Sequence, residues 1–270
     1  MRPLISRCAL PVYLGLVLAI CPAAAEEPEL VTDRPDQTES SSVVAPGRVQ
    51  VEAGWTFSND EDGVDTETAE FPGTLVRIGL VDRLELRLGW TGYVREEIRI
   101  GASETDDDGA GDTEIGAKVY LREERGAAPE IALLVGASLP TGADDFSSER
   151  VDPSFRFSLS HTLTERLGLG YNLGASWESA EDDGGERDTL SSVNYTVALG
   201  IGLSERFGAF VELYGDVPAS APDGPANAFD GGFTWLLRNN LQLDVAGGLG
   251  LSDDADDWFA GAGVSVRLPR

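Results

Sequence analysis

The sequence predicts an all-β chain: a closed antiparallel transmembrane β-barrel of about twelve strands, with short periplasmic turns and longer acidic extracellular loops. Three observations carry that prediction. Segments of roughly 9 to 12 residues alternate apolar and polar side chains, the length that crosses an outer membrane when tilted. Their connections alternate short and long, and the long set holds almost all the acidic runs. Trp55, Trp90, Trp177 and Trp258 fall in the apolar register beside long loops, as in an aromatic girdle at the outer interface, and Trp235 falls near the opposite girdle.

In chain order, Arg2 and Arg7 precede an apolar run from Val12 to Ile20, and Ala23, Ala24 and Ala25 precede Glu26 and Glu27. The run is too short for a spanning helix and lies next to a small-residue site, so residues 1–25 read as a secretory signal peptide. Cys8 and Cys21 both lie inside it, which leaves the mature protein without thiol chemistry. A lipidated Cys21 is the alternative, but Ile20 is a poor fit for the small residue expected before it. Residues 26–46 read as an N-terminal periplasmic leader or plug segment. Asp33-Arg34-Pro35-Asp36 is too polar and Pro-interrupted to be a strand; it is expected to fold back to the periplasmic mouth or into the lumen and pair with inward charges such as Arg77 or Arg87. A disordered tail is the alternative.

Residues 47–268 read as the barrel. Val49, Val51, Ala53, Trp55 and Phe57 alternate with polar or small residues, and a long acidic loop is expected from Asn59 to Gly73. Residues 74–91 then give the clearest hairpin: Val76, Ile78 and Leu80 lead into a turn at Asp82, and Leu84, Leu86, Leu88 and Trp90 lead out. A second acidic loop is expected through Asp106, Asp107 and Asp108. Further strands follow around Ile115–Leu121, Ile131–Leu139, Phe155–Leu159, Leu167–Trp177, Val193–Leu203, Phe207–Leu213, Phe229–Trp235, Leu241–Leu249 and Trp258–Leu268. This parity puts both chain ends on the periplasmic side.

The opposite register collects Glu52, Arg77, Glu85, Arg87, Glu114, Lys118, Arg156, Glu212, Asp244 and Arg267, an even mixture of acids and bases. A single-sign ring would point to ion selectivity; a balanced set points to a mixed interior of paired charges. Those pairs either fill a narrow lumen and stabilise the barrel or line a passage with polar walls for a small solute. The formal charge of −27 excludes nucleic acid as a partner. Acidic runs such as EDDGGERD and SDDADD read as solvated surface loops; the nearest approach to a calcium loop, from Glu104 to Asp112, has Ile115 where its closing glutamate should stand. His161 is the one histidine and has no nucleophile motif beside it, so no catalytic residue, metal or cofactor is expected. The expected partners are outer-membrane lipid and lipopolysaccharide, the outer-membrane assembly machinery and a small-molecule solute. A periplasmic lipocalin-like binder is the soluble rival, but it would want an apolar interior.

The segments TDRPDQTES, PGRVQVEAGW, LVRIGLVDRLELRLGW, GDTEIGAKVYL, SLPTG, LSERFGAFVELYG, LLRNNLQLDVAGGLGLS and DWFAGAGVSVR, in that order and spacing, resemble the MetA-pathway phenol-degradation transporter family. The resemblance implies an outer-membrane barrel with a role in moving aromatic or other hydrophobic compounds, and it carries no binding residues over. Family members tend to finish on an aromatic residue, whereas this chain finishes Leu268-Pro269-Arg270. A filled barrel contributing to envelope integrity without transport is the alternative function.

Overall fold

The computed structural model describes residues 30–61, 64–181, 187–220 and 224–269. The signal peptide expected at residues 1–25 and most of the acidic run EDDGGERD lie outside the described residues. Strands β1 (Val49–Asp60), β2 (Asp65–Val81), β3 (Leu84–Trp90), β4 (Tyr93–Ile100), β5 (Ser103–Ala110), β6 (Thr113–Arg122) and β7 (Glu130–Leu139) form the first half. Strands β8 (Asp152–Thr164), β9 (Leu167–Glu181), β10 (Arg187–Gly202), β11 (Phe207–Pro218), β12 (Ala226–Arg238), β13 (Leu241–Gly250) and β14 (Trp258–Leu268) form the second. All pair in one antiparallel sheet, and β1 bonds to both β14 and β2, which closes it. The seam is continuous from Val49↔Leu268 to Asn59↔Trp258.

Twelve strands make the barrel; β4 and β5 do not belong to its wall. The lower part of β2, from Thr74 to Val81, pairs with β3, and its upper part, from Asp65 to Phe71, pairs with β4. The ribbon β1–β2–β4–β5 therefore continues beyond the rim. This corrects two expectations: much of 59–73 is strand, and Asp106, Asp107 and Asp108 sit in β5, opposite Glu97, Glu96 and Arg95. The physical reason is that a ribbon standing in water needs no apolar face. Charge pairs replace it: Arg95 holds Asp106 at 2.7 Å, and Arg99 holds Glu67 at 2.9 Å.

The wall is built inside out. Exposed side chains on its outer surface include Leu173, Val197, Leu213, Phe233 and Val245, whereas the largest fully buried side chains include Arg77, Lys118, Gln50, Glu52 and Glu85. Strict alternation produces this division, since one face meets hydrocarbon and the other must satisfy its polar groups within the cylinder. Aromatic pairs mark the rims. Trp55 packs on Phe71 with ring centroids 5.1 Å apart, Phe57 on Trp258 at 5.5 Å and Phe155 on Trp177 at 6.1 Å, all toward the long-loop end. Phe207 stacks on Trp235 at 5.5 Å beside the short turns. The first group also shows where the apolar belt stops and the β1–β2 extension begins.

Val245 lies midway along β13 and half its surface is exposed on the outer face. Val245→Arg is expected to destabilise the bilayer-inserted barrel by about 2–4 kcal/mol, against nearly nothing for Val245→Leu. Urea titration of the protein folded into lipid vesicles measures the difference.

Candidate functional site

The interior is organised by the leader, residues 30–46, which runs into the barrel and crosses it. Its entrance is made possible by Gly79 of β2. A Cβ there would stand 2.1 Å from the Ala45 carbonyl oxygen, so any other residue would push the leader off the wall. Further in, Gly54 and Gly263 face each other across the β1–β14 seam, and the Arg34 side chain lies on the floor they leave.

Asp33 sits at the centre. Lys118 Nζ donates to both its oxygens, at 3.0 and 2.9 Å, Arg87 Nη1 donates to Oδ2 at 2.5 Å, and Arg77 Nη1 lies 3.1 Å away. Those cations are shared with the wall: Arg77 binds Glu85 at 2.9 Å and Glu52 at 3.1 Å, and Arg87 Nη2 donates to both Glu39 oxygens at 2.8 Å. The cluster is nearly dry, with Arg77 1% and Lys118 0% exposed. Charges this deep persist only when each is paired and hydrogen-bonded, which the leader completes.

Backbone groups of the leader are also satisfied by the wall, which is how a segment without secondary structure can be buried. Glu52 accepts the Asp33 and Arg34 amides at 2.9 and 3.0 Å, Glu212 accepts Gln37 N at 2.7 Å, Asn172 accepts Glu39 N at 2.7 Å, and Glu85 accepts Val44 N at 2.7 Å. Gln50 and Arg77 donate to the Val31 and Ser42 carbonyls. Thr38 bonds Thr196 at 2.6 Å and Ser41 bonds Ser160 at 2.8 Å. The leader is thus fastened to β1, β2, β3, β8, β9, β10 and β11, on opposite sides of the cylinder.

Above the leader, toward the long loops, the interior is open. A cavity of about 360 Å³ is bounded by Glu39 of the leader and by Arg87, Glu114, Arg156 and Asn194 of the wall. It shares Glu114, Ser154, Ser176 and Glu178 with a cavity of about 540 Å³ at the mouth, bordered by the loop at 145–148. A further cavity of about 330 Å³, also toward the long loops, lies between leader residues 34–37 and β1, β2, β11, β13 and β14.

Residues 32–268 match the model of the family described as "Putative MetA-pathway of phenol degradation". The chain belongs to that family. Its fold is similar to the COG4313 outer membrane channel from Pseudomonas putida F1, with a TM-score of 0.64 and 14% identity over 84% of this chain and 98% of that one. The NanC porin gives 0.52 and 10% identity over 81% and 98%, and the translocator domain of the autotransporter NalP from Neisseria meningitidis 0.53 and 12% over 81% and 88%. These likenesses are of fold. No curated protein matches the chain.

Of the inward residues expected in this family member, Glu52, Arg77, Glu85, Arg87, Lys118, Glu212, Asp244 and Arg267 are buried in the interior. Glu114 and Arg156 stand instead on the open cavity. Arg77, Glu85, Arg87 and Lys118 form one cluster; Asp244 is remote from it and takes Arg34 at 3.1 Å. Glu39, Gln50, Asn172 and Asp230 were not among the expected site residues. Asp230 could have been found by alternation alone, since Phe229 and Gly231 flank it in the outward register. His161 is committed to Tyr171, 3.3 Å from its Nε2, and to Glu124, 3.5 Å from its Nδ1.

At the mouth, Asp112 clamps the β7–β8 loop: its oxygens accept the Thr141, Gly142 and Ser148 amides at 2.9, 2.8 and 3.2 Å. Burial pushes its carboxyl up, but the Gly142 amide, Ser147, and the Ser148 and Thr141 amides outweigh it and hold the group below the usual range. A depressed carboxylate stabilises above its unfolded pKa and loses that contribution only as pH falls through the folded one. Amide exchange at 141–148 is therefore expected to stay slow at pH 4, where a free aspartate is about half protonated. Asp112→Ala should remove that protection even at neutral pH.

Asp33→Ala strips the common partner from Arg77, Arg87 and Lys118. Breaking such a buried pair costs on the order of 3–5 kcal/mol. The leader should then become cleavable by protease in the folded barrel while the strands stay resistant, as mass spectrometry of the fragments will read.

Proposed function

We propose that this protein resides in the outer membrane and is a channel for small solutes, with a vestibule open to the outside and a leader that closes the periplasmic half. The observation that carries this reading is the pair of joined cavities, about 360 and 540 Å³, that descends from the mouth and ends on Glu39 and Arg87. A barrel serving only as a girder would fill its interior to the density of other protein cores. The lining mixes Leu75 and Leu134 with Glu114, Arg156 and Asn194. Phenols and related monoaromatic compounds, with a flat apolar ring and a hydroxyl, suit such a wall, and the family description points to the same class.

The dry cluster around Arg77 and Lys118 favours a second reading, a filled barrel that strengthens the envelope. Conductance separates the two. Removing residues 26–45 from the mature chain takes away Asp33, Glu39 and the bonds to Glu52, Asn172 and Glu212. Single-channel conductance in planar bilayers is expected to rise several-fold, and liposome swelling with phenol to exceed that with sugars of higher mass. Unchanged conductance, with the variant still heat-modifiable on gels, would reject the leader as the closure.

A further inference from the structure

We infer that the channel proposed above selects small cations, because the cavity between the leader and the wall of β1, β2, β11, β13 and β14 is lined by three carboxylates that take part in no ion pair among the described residues. The inference rests on the channel reading and adds a ligand class to it.

The cavity of about 330 Å³ on this side is bounded by Asp36 of the leader and by Glu70 and Asp256, with the Thr56, Ser58 and Thr68 hydroxyls among them. Arg34 is the one cationic residue lining it among the described residues, and its guanidinium already reaches Asp244 Oδ1 at 3.1 Å. Among the described residues, none of Asp36, Glu70 and Asp256 takes part in an ion pair there.

A second, independent observation lies in the adjoining wall. Glu212 and Asp230 are direct cross-strand partners of β11 and β12, and both face inward with 1% exposure. The Glu212 oxygens are occupied by Gln37 N and Thr38 Oγ1. Both oxygens of Asp230 are buried without a hydrogen-bond partner. Asp230 packs beside Gly248, whose bare Cα also faces the Phe259 ring that lines the cavity. A carboxylate left dry and unpaired is costly, and a small cation beside it supplies the missing partner.

The three clustered bases cannot serve. Arg77, Arg87 and Lys118 sit across the lumen, enclosed by Asp33, Glu39, Glu52 and Glu85. The inward charges are therefore unevenly placed, with a neutralised cluster on the β2–β3–β6 side and Asp36, Glu70, Asp230 and Asp256 outside it, while Arg34 serves Asp244 and Arg156 and Arg267 stand on β8 and β14. A lining in which carboxylates outnumber cations concentrates ions of the opposite sign in a low-dielectric cylinder.

The test uses the mature full-length chain in planar bilayers at pH 8 across a tenfold KCl gradient. The reversal potential is expected to give a K⁺ over Cl⁻ permeability ratio of about five or more. Asp36→Asn with Asp230→Asn should cut that ratio at least by about half while conductance steps persist. Glu70→Gln, on an open cavity wall where folding is not at stake, should shift it the same way. Asp82→Asn, in the β2–β3 turn at the far end, should leave it unchanged. A ratio of one or below, or a ratio untouched by both acidic-wall variants, overturns the inference and leaves the channel reading standing. Absence of any conductance in both the mature chain and the leader deletion rejects the channel reading, and this inference with it.

Discussion

One carboxylate holds the interior together. Asp33 arrives on a strandless leader and meets Lys118, Arg87 and Arg77 from three neighbouring strands, none of which can find water where it lies. Without that carboxylate the cations of the wall would still have Glu52 and Glu85, but three like charges would crowd one side of the cylinder. Their desolvation is tolerable only when the Coulomb attraction is gained at short range and the remaining donors are satisfied. The leader meets both conditions, because its carbonyls at Val31 and Ser42 take the guanidinium protons that the carboxylates leave over.

That arrangement follows from the inversion of the fold. In a water-soluble domain apolar burial drives compaction and charges remain outside. Here the outer face gains by meeting lipid, so every strand turns its polar register inward and the centre is filled by arginine, lysine, glutamine and glutamate. A charge-lined cylinder invites a charged insert, and the leader is one. Its segments also have to be irregular, since the wall consumes nearly all its own backbone bonds in closing the sheet and offers only side chains to an inserted chain.

The same irregularity leaves room. Contacts between the leader and the wall concentrate in the half nearer the short turns, and above them the lumen keeps its cavities. The vestibule side is bordered by the β7–β8 loop, fixed by Asp112, and by the β1–β2–β4–β5 ribbon that rises past the aromatic belt.

The sequence by itself determined the barrel, its strand parity and which residues point inward, because lipid on one side and a closed lumen on the other impose a period of two that local pattern displays directly. The pairing of the leader with Arg77 and Arg87 was one of two readings that the sequence left open, a disordered tail being the other. Only the tertiary structure decided that 65–71 and the runs of β4 and β5 are strands, because ribbon standing in water carries no apolar stripe and its Arg–Asp pairs lie far apart in sequence. Only the tertiary structure, too, gathered Arg77, Arg87 and Lys118 round Asp33, gave Asp244 to Arg34 and left Asp230 without a hydrogen-bond partner among the described residues. Alternation fixes the face on which a charge lies, but the partner it meets depends on curvature around the cylinder and on where the leader is threaded, and neither leaves a trace in local sequence.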